Sequence, residues 1–485
     1  MTGDPVPAGG PQDTPRTAPA VVAERPQPGT PRPYEFPPFE RHHLANGLEV
    51  LVVEMSGRPL VSASLVIRDG AVDEPAEDGG ATVLSARALA EGTELRDAVA
   101  FVEASERLGA SIHAEAGWDA MSASVDVAAD RLEPALELVA EMAARPTFPD
   151  AEVERLRDER LNDLLQAKAD PRRRADEAFA ATIYTAWSPY HRPSGGGRET
   201  VARLDPDRLR VAHARGFDPR RMALVVAGDI GRLDVIRAAK RLFGDWVPSA
   251  GARPIGPIVA ESAVGHRFVR VIHRPGSVQT EIRIGHPGLP RLIPDFHAVS
   301  VMGAILGGLF NSRLNMRLRE EKGYTYGAGA GFDLRRAAGP FSARAAVNTE
   351  ATVPAVADFL AEIARMRAEP VSDAELRAAK DFLIGVFPLR FETPGPVVGA
   401  LSGIIVHGLP DDELARYRPG IEAVTIADVQ DVAQRYIDLD HAAIVLVGDV
   451  DAFGHDLEGA GFGPIVIERD EDPRPGDAHE GADGG

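Results

Sequence analysis

Apolar positions along the chain follow two periods. Leu60 to Ile67 and Ala120 to Val127 alternate like half-buried strands, whereas Glu133 to Ala144 carries apolar residues at helical spacing. His43 to Glu54 places Asn46-Gly47 ahead of a β-branched run, a hairpin signal. Asp150, followed by glutamates, reads as an N-cap that opens a further helix. Strands come in meander-like groups with helices between them. That order predicts an α+β fold with a mostly antiparallel sheet flanked by helices in each half of the chain.

The halves echo each other. Ala223 to Ile230 (ALVVAGDI) reads like Ala443 to Val450 (AIVLVGDV), an offset of 220 residues. Arg145-Pro146 to Asp150-Ala-Glu152 resembles Glu369-Pro370 to Asp373-Ala-Glu375, 223 residues on when the aspartates are aligned. The economical reading is two copies of one domain, at 39–249 and 265–467, related by a pseudo-two-fold axis. The Gly/Pro-rich stretch Ser249–Pro257 opens a linker that runs over 250–264. Residues 1–38 hold eleven prolines and cannot bury enough apolar surface to order, so they are expected to form a disordered tail. Residues 468–485, with seven acids against two arginines, are expected to form a second, solvated tail.

Composition narrows the chemistry. Among 485 residues there is no cysteine, which excludes disulfides, thiolate zinc sites, iron–sulfur clusters and a thiol nucleophile. Fifty-three Lys and Arg against 73 Asp and Glu leave a net charge of −20, the wrong sign for a nucleic-acid binder. No stretch approaches 18 uninterrupted apolar residues, and the first twenty residues lack the pattern of a secretory signal. The expectation is a soluble, cytoplasmic protein that engages neither membrane nor nucleic acid. Gly195-Gly-Gly197 and Gly307-Gly308 lack the Lys-Ser/Thr of a phosphate loop, and there is no G-x-S-x-G elbow.

The most specific stretch lies in the second half. It runs Arg274-Pro-Gly-Ser-Val-Gln279 to His286, then Gly307-Gly-Leu-Phe-Asn-Ser312-Arg313 through Arg319-Glu320-Glu-Lys-Gly323-Tyr-Thr-Tyr326-Gly327. With Asn46-Gly47-Leu48, Gly92-Thr93, Leu108-Gly109-Ala110 and Ser188 to Pro193 in the first half, it resembles the pitrilysin/insulinase-type (inverzincin) metallopeptidases. The match is to the two-domain branch that includes the mitochondrial processing peptidase, and it covers roughly residues 39–467. The resemblance implies two homologous domains forming a half-clamp, half of a closed chamber.

That family's chemistry needs an H-x-x-E-H motif, with two imidazoles and a distal glutamate on the metal and the motif's own glutamate activating water. The motif precedes a Gly-Thr in relatives. Counting back from Gly92 places the two histidine positions at Val83 and Arg87 and the base position at Ala86. The distal ligand then falls at Asp163. Valine and alanine offer no lone pair, arginine is a fixed cation, and one aspartate cannot hold zinc alone. The thirteen histidines form no other close helical pair, and His42 and His43 point to opposite faces of a strand. The chain is therefore expected to hold no metal and to cleave nothing by itself.

Arg319 and Tyr326 match the arginine–tyrosine pair that the family's C-terminal domain presents to substrate across the chamber. A guanidinium and a phenol can donate to a peptide carbonyl and to the oxyanion that grows when water attacks it. By resemblance, such a chain pairs with a related subunit carrying the intact motif and the zinc, and the two act on extended or unfolded peptides that add a strand to a sheet edge. Leader-peptide processing is one such role. The alternative is an inert peptidase-like scaffold or peptide-binding protein.

Overall fold

Two stretches of uninterrupted burial organise the molecule. Met222–Gly228 and Ala443–Gly448 are buried at every position, the mark of strands covered on both faces. A computed structural model describes residues 29, 32–231, 233–248 and 256–469; most of the expected N-terminal tail, the join at 249–255 and the acidic tail from 470 lie outside the described residues.

The first sheet contains β1 (Glu40–His43), β2 (Glu49–Glu54), β3 (Leu60–Ile67), β4 (Ser111–Ala116), β5 (Met121–Ala128) and β6 (Met222–Gly228). The second contains β7 (Phe268–His273), β8 (Gln279–Pro287), β9 (Ala328–Phe332), β10 (Pro340–Asn348), β11 (Ala443–Gly448) and β12 (Ile465–Arg469). Their orders are β1-β2-β6-β3-β5-β4 and β12-β7-β11-β8-β10-β9. From the second position onward the two orders correspond strand for strand. In each, the repeated Gly-Asp strand lies parallel to its left neighbour and antiparallel to its right one. The outermost strands differ: β1 is antiparallel to β2, while β12 comes from the end of the chain and runs parallel to β7. Both echoed strands end in a glycine under pressure. A Cβ on Gly228 would lie 2.3 Å from the Leu60 carbonyl oxygen, and one on Gly448 2.5 Å from Thr280 Oγ1.

One face of each sheet packs on helices of its own half. Val61, Leu65, Ile67, Ala123 and Val125 meet the helices Ala81–Ala88 and Leu132–Ala144, and Ile282, Ile284, Phe341 and Ala343 pack with Thr352–Ala368. The other face is covered by a helix from the opposite half. Pro171–Ile183 lays Ala175, Ala178, Phe179 and Ile183 across Ile272, Ala443, Val445 and Val447 of the second sheet. Pro394–His407 lays Val397, Val398, Leu401 and Ile405 across Leu51, Val53, Ala223 and Val225 of the first. These helices begin 223 residues apart, the offset of the second sequence echo, and both have proline in their first turn. Buried polar ties follow the same route. Arg283 on β8, 3% exposed, donates to Asp176 of the first half at 2.6 Å, and Arg270 donates to Thr182 Oγ1 at 2.8 Å.

Local expectations differ from the structure at a few points. Asp150 is the first helical residue rather than the cap; Pro149 holds the cap position without a side-chain bond. An acid there still complements the positive end of the helix. Ordered packing starts before residue 39, because the Phe36 ring stands edge-on to Phe391 at 5.0 Å. Glu468 and Arg469 belong to β12, where Glu468 pairs with Arg270 at 2.8 Å. The later part of the expected linker is docked: Ala263 N–H donates to Ile183 O at 2.9 Å, and Val264 is buried.

Phe179→Ala removes an aromatic ring from the exchanged helix and is expected to cost about 3–5 kcal/mol. Because that helix belongs to one half and covers the other, urea unfolding should still show a single transition at a lower midpoint. A second expectation concerns acid. His213, His286 and His407 are each held below the ordinary imidazole value, chiefly by burial, His407 to about 4. Below about pH 6.5 the unfolded chain binds protons that these folded rings refuse, so stability falls as pH drops from there toward about 4. In denaturant titrations between those pH values, His407→Gln should lose less stability than the wild type.

Candidate functional site

The helix Ala81–Ala88, which carries the expected metal positions, is anchored by charge at its start. Glu74, its side chain fully buried, accepts from Gly80 N–H (2.9 Å) and Thr82 N–H (2.5 Å), and Arg192 balances it at 3.2 Å. Burial raises the Glu74 carboxyl above its ordinary value while those donors oppose the shift. Gly80 turns the chain at φ +98°, and a Cβ there would lie 2.6 Å from Gly195 O. Beside it, Asp69 is fully buried and takes Arg215 at 2.9 Å and Arg221 at 3.2 Å. The helix is fixed as firmly as a metal-bearing helix would need to be.

What it displays is not a metal site. Ala86 is 1% exposed within the core, Val83 is half-buried, and Arg87 faces outward. Arg87 donates to Glu159 Oε2 at 2.8 Å across to the helix Asp150–Ala169. Glu159 also binds Arg155 at 2.6 Å, and Arg155 reaches Glu91 at 2.8 Å. Arg155 first, and then Arg87, holds the Glu159 carboxyl below its ordinary value. Asp163, one turn further along, is taken by Arg173 at 2.7 Å and by Arg160. Arg173 chiefly, with Arg160, lowers its carboxyl. The acid that the fold brings to Arg87 is therefore Glu159, which counting along the sequence missed. The available signal was the i, i+4 pair of acids on one helix face.

Zinc does not fit this set. The two imidazole positions hold a methyl-bearing side chain and a guanidinium, and the remaining carboxylates are committed to arginines. Elsewhere among the described residues, His273, Asp449 and Asp451 come within reach of a common ion. Val450 N–H donates to His273 Nδ1 at 3.2 Å, which leaves the ring proton on Nε2, and Asp449 accepts from Gly276 N–H at 2.8 Å. Those bonds close the start of the Val450–Gly459 helix, and the one from Val450 uses the Nδ1 lone pair of His273.

Arg319 and Tyr326 sit on irregular backbone ahead of β9. Wide turns with i→i+5 bonds shape this stretch: Leu309 N–H reaches Ala304 O at 3.1 Å, and Lys322 N–H reaches Arg317 O at 3.2 Å around Arg319 itself. Asn315 ties this loop to β9, donating to Leu309 O at 3.1 Å and accepting from Ala328 N–H at 2.9 Å. The Arg319 guanidinium lies 4.4 Å from the centre of the Phe310 ring, a cation–π contact, and Glu320 lies 3.5 Å from its Nε. Tyr326 is 92% exposed. No hydrogen bond joins Arg319 to Tyr326 among the described residues, and both present donors outward. Phe310, itself 69% exposed, is a neighbour that motif reading did not single out.

If Glu159 occupies the place of the distal ligand, Val83→His with Arg87→His should create a zinc site of two imidazoles and Glu159. Metal analysis is expected to find about one zinc per chain in this double variant, none after adding Glu159→Gln, and retention after adding Asp163→Asn.

Residues 49–188 match the insulinase family (peptidase family M16), and residues 203–383 match the peptidase M16 inactive domain. An uncharacterised zinc protease of Mycobacterium bovis is 26% identical over 84% of this chain and 92% of its own length. A Helicobacter pylori relative described as a non-peptidase homolog is 22% identical over 81% of this chain and 89% of its own. Among solved structures, a peptidase M16 inactive domain from Pseudomonas fluorescens superposes with a TM-score of 0.79 at 26% identity, covering 85% of this chain and 98% of that one. A first half matched to one family model, a second half matched to its inactive domain and two corresponding sheets agree: the chain belongs to the M16, insulinase-like peptidase family.

Proposed function

We propose that this chain is the non-catalytic, substrate-holding subunit of a heterodimeric zinc peptidase that acts on short or unfolded peptides. The observation that carries the reading is a division of labour within one chain. The first half has an arginine–glutamate pair where relatives place metal, while the second half presents Arg319, backed by Phe310, and an almost fully exposed Tyr326. A side chain as exposed as Tyr326 has no part in core packing, and the Arg319 guanidinium rests on the exposed Phe310 ring outside both cores. The zinc and its water belong to a related subunit bearing the intact motif.

Within such a complex, this chain's task is positioning and charge stabilisation. Arg319 and Tyr326 donate to the carbonyl oxygen at the bond to be cut and hold it as negative charge develops there. Arg319 keeps its charge throughout, and its planar guanidinium, resting on Phe310, loses little freedom on binding. The non-peptidase description of one relative suits this assignment, and it equally suits an inert scaffold. Catalysis in trans separates the two.

The experiment is a reconstitution with a zinc-bearing M16 relative and a quenched fluorescent peptide, at equal complex concentration. Arg319→Ala or Tyr326→Phe is expected to lower turnover by about 10²–10³ while assembly, followed by size-exclusion chromatography, survives. Rates within about twofold of wild type for both variants would assign the chain to the scaffold reading.

A further inference from the structure

The short loop that carries Tyr326 hangs between two anchors. On its N-terminal side Tyr324 N–H donates to Leu318 O at 2.9 Å, and Tyr324 O accepts from Asn348 N–H at 3.1 Å. That anchor is made by the backbone and joins the loop to the wide turn bearing Arg319. On the C-terminal side the anchor is Ala328, the first residue of β9. Between the two, Thr325 and Gly327 are hydrogen-bonded only to each other among the described residues. The threonine hydroxyl accepts from Gly327 N–H at 3.1 Å and donates to Gly327 O at 3.0 Å, a closed ring with Tyr326 at its apex.

The second anchor depends on one side chain. β9 is the outermost strand of its sheet, with an edge that no strand covers. Ala328 N–H is taken instead by Asn315 Oδ1 at 2.9 Å. The same amide donates through Nδ2 to Leu309 O at 3.1 Å and to Ser312 Oγ at 3.3 Å. Leu309 and Ser312 bracket Phe310, the ring on which the Arg319 guanidinium rests at 4.4 Å. One half-buried amide therefore joins the support beneath Arg319 to the residue two places after Tyr326. The residue type is specific to the task. Asparagine offers two N–H donors and an acceptor oxygen, and all three are used here; aspartate could only accept, and alanine could do neither.

We infer that Asn315 is a positioning residue, which fixes Arg319 and Tyr326 relative to each other so that both donors reach one carbonyl oxygen. This assignment rests on the substrate-holding role proposed above and adds to it a residue that touches no substrate. Two donors closing on one oxygen tolerate little play, since a misplacement of about 1 Å can cost about 10²-fold in rate. The charge they hold exists only once water attacks, so lost alignment falls on turnover rather than on peptide binding. The Thr325 ring cannot substitute, because it spans three residues and has no tie to Phe310.

The test has one arm on the complex and one on the chain alone. In the reconstitution with a zinc-bearing M16 relative and a quenched fluorescent peptide, Asn315→Asp keeps the side-chain shape and loses the donors. It is expected to lower kcat by about tenfold or more with KM within about threefold of wild type. Asn311→Asp makes the same chemical change at an exposed position of the same stretch and should stay within about twofold on both. Added to the double variant Arg319→Ala with Tyr326→Phe, Asn315→Asp should cost no more than about twofold, because the groups it acts through are already gone. In the isolated chain, hydrogen exchange at Ala328 N–H should quicken by about tenfold or more in Asn315→Ala and stay near wild type in Asn315→Asp, whose carboxylate still accepts. Ala328 exchange unmoved by Asn315→Ala, a loss with Asn311→Asp equal to that with Asn315→Asp, or a further tenfold loss in the double-variant background would each overturn the inference. If Arg319→Ala and Tyr326→Phe slow turnover and Asn315→Asp does not, this inference alone falls. If none of the three slows it, the substrate-holding reading fails and this inference with it.

Discussion

The mutual exchange of helices 171–183 and 394–407 holds the two halves of this molecule together. A six-stranded sheet has two faces, and the helices of its own half cover only one. β6 and β11 are apolar on both, so each sheet left alone would expose a band of valine, leucine and alanine to water. At about 25 cal/mol for each Å² of apolar area, covering that band in both halves is a dominant stabilising contribution, and neither half can supply it alone. Arg283, buried on one sheet and bound to Asp176 on the visiting helix, makes the arrangement specific as well as apolar. Removing Asp176 would leave the buried guanidinium to Glu281 and to backbone carbonyls, and the tie between the halves would be weakened.

The helix Ala81–Ala88 is held in place without a metal. The helix that bears Val83, Ala86 and Arg87 is fixed from its N-terminal end by Glu74 and by the buried Asp69 with its arginines, none of which contacts the metal positions. The Arg87–Glu159 and Asp163–Arg173 pairs link neighbouring helices beside it. Both pairs are half-exposed, where screening keeps ion pairs weak, so they contribute little to stability. The second half needs no compensation. Its outward-facing Arg319 and Tyr326 rest on a stretch organised by Asn315 and wide helical turns and anchored in the second core by Leu314 and Leu318.

The exchanged helix also has a consequence on the first sheet. It packs over β2, β6 and part of β3, and its glycines leave the space beyond unfilled. The sheet there remains polar, with serines and two carboxylates in register, because nothing apolar arrives to bury it. The same helix thus closes one part of the sheet and leaves an open trough over the rest.

Local pattern alone determined much of this. The run 60–67 is a strand with those bounds, though buried on both faces rather than half-buried, and the echo of Gly228-Asp229 in Gly448-Asp449 marked the third strand of each sheet, because repeated strands need repeated local sequence. That Val83, Ala86 and Arg87 offer no metal-binding donor is likewise a property of residue type and needs no fold to be read. Four features came only with tertiary structure: the crossing of the two helices, Glu159 rather than Asp163 against Arg87, Phe310 beneath Arg319, and the open trough beside β4. Each depends on contacts between residues far apart in sequence, whose partners no local period encodes. In particular, Glu159 and Asp163 share one helix face, and only the angle at which that helix crosses Ala81–Ala88 selects between them.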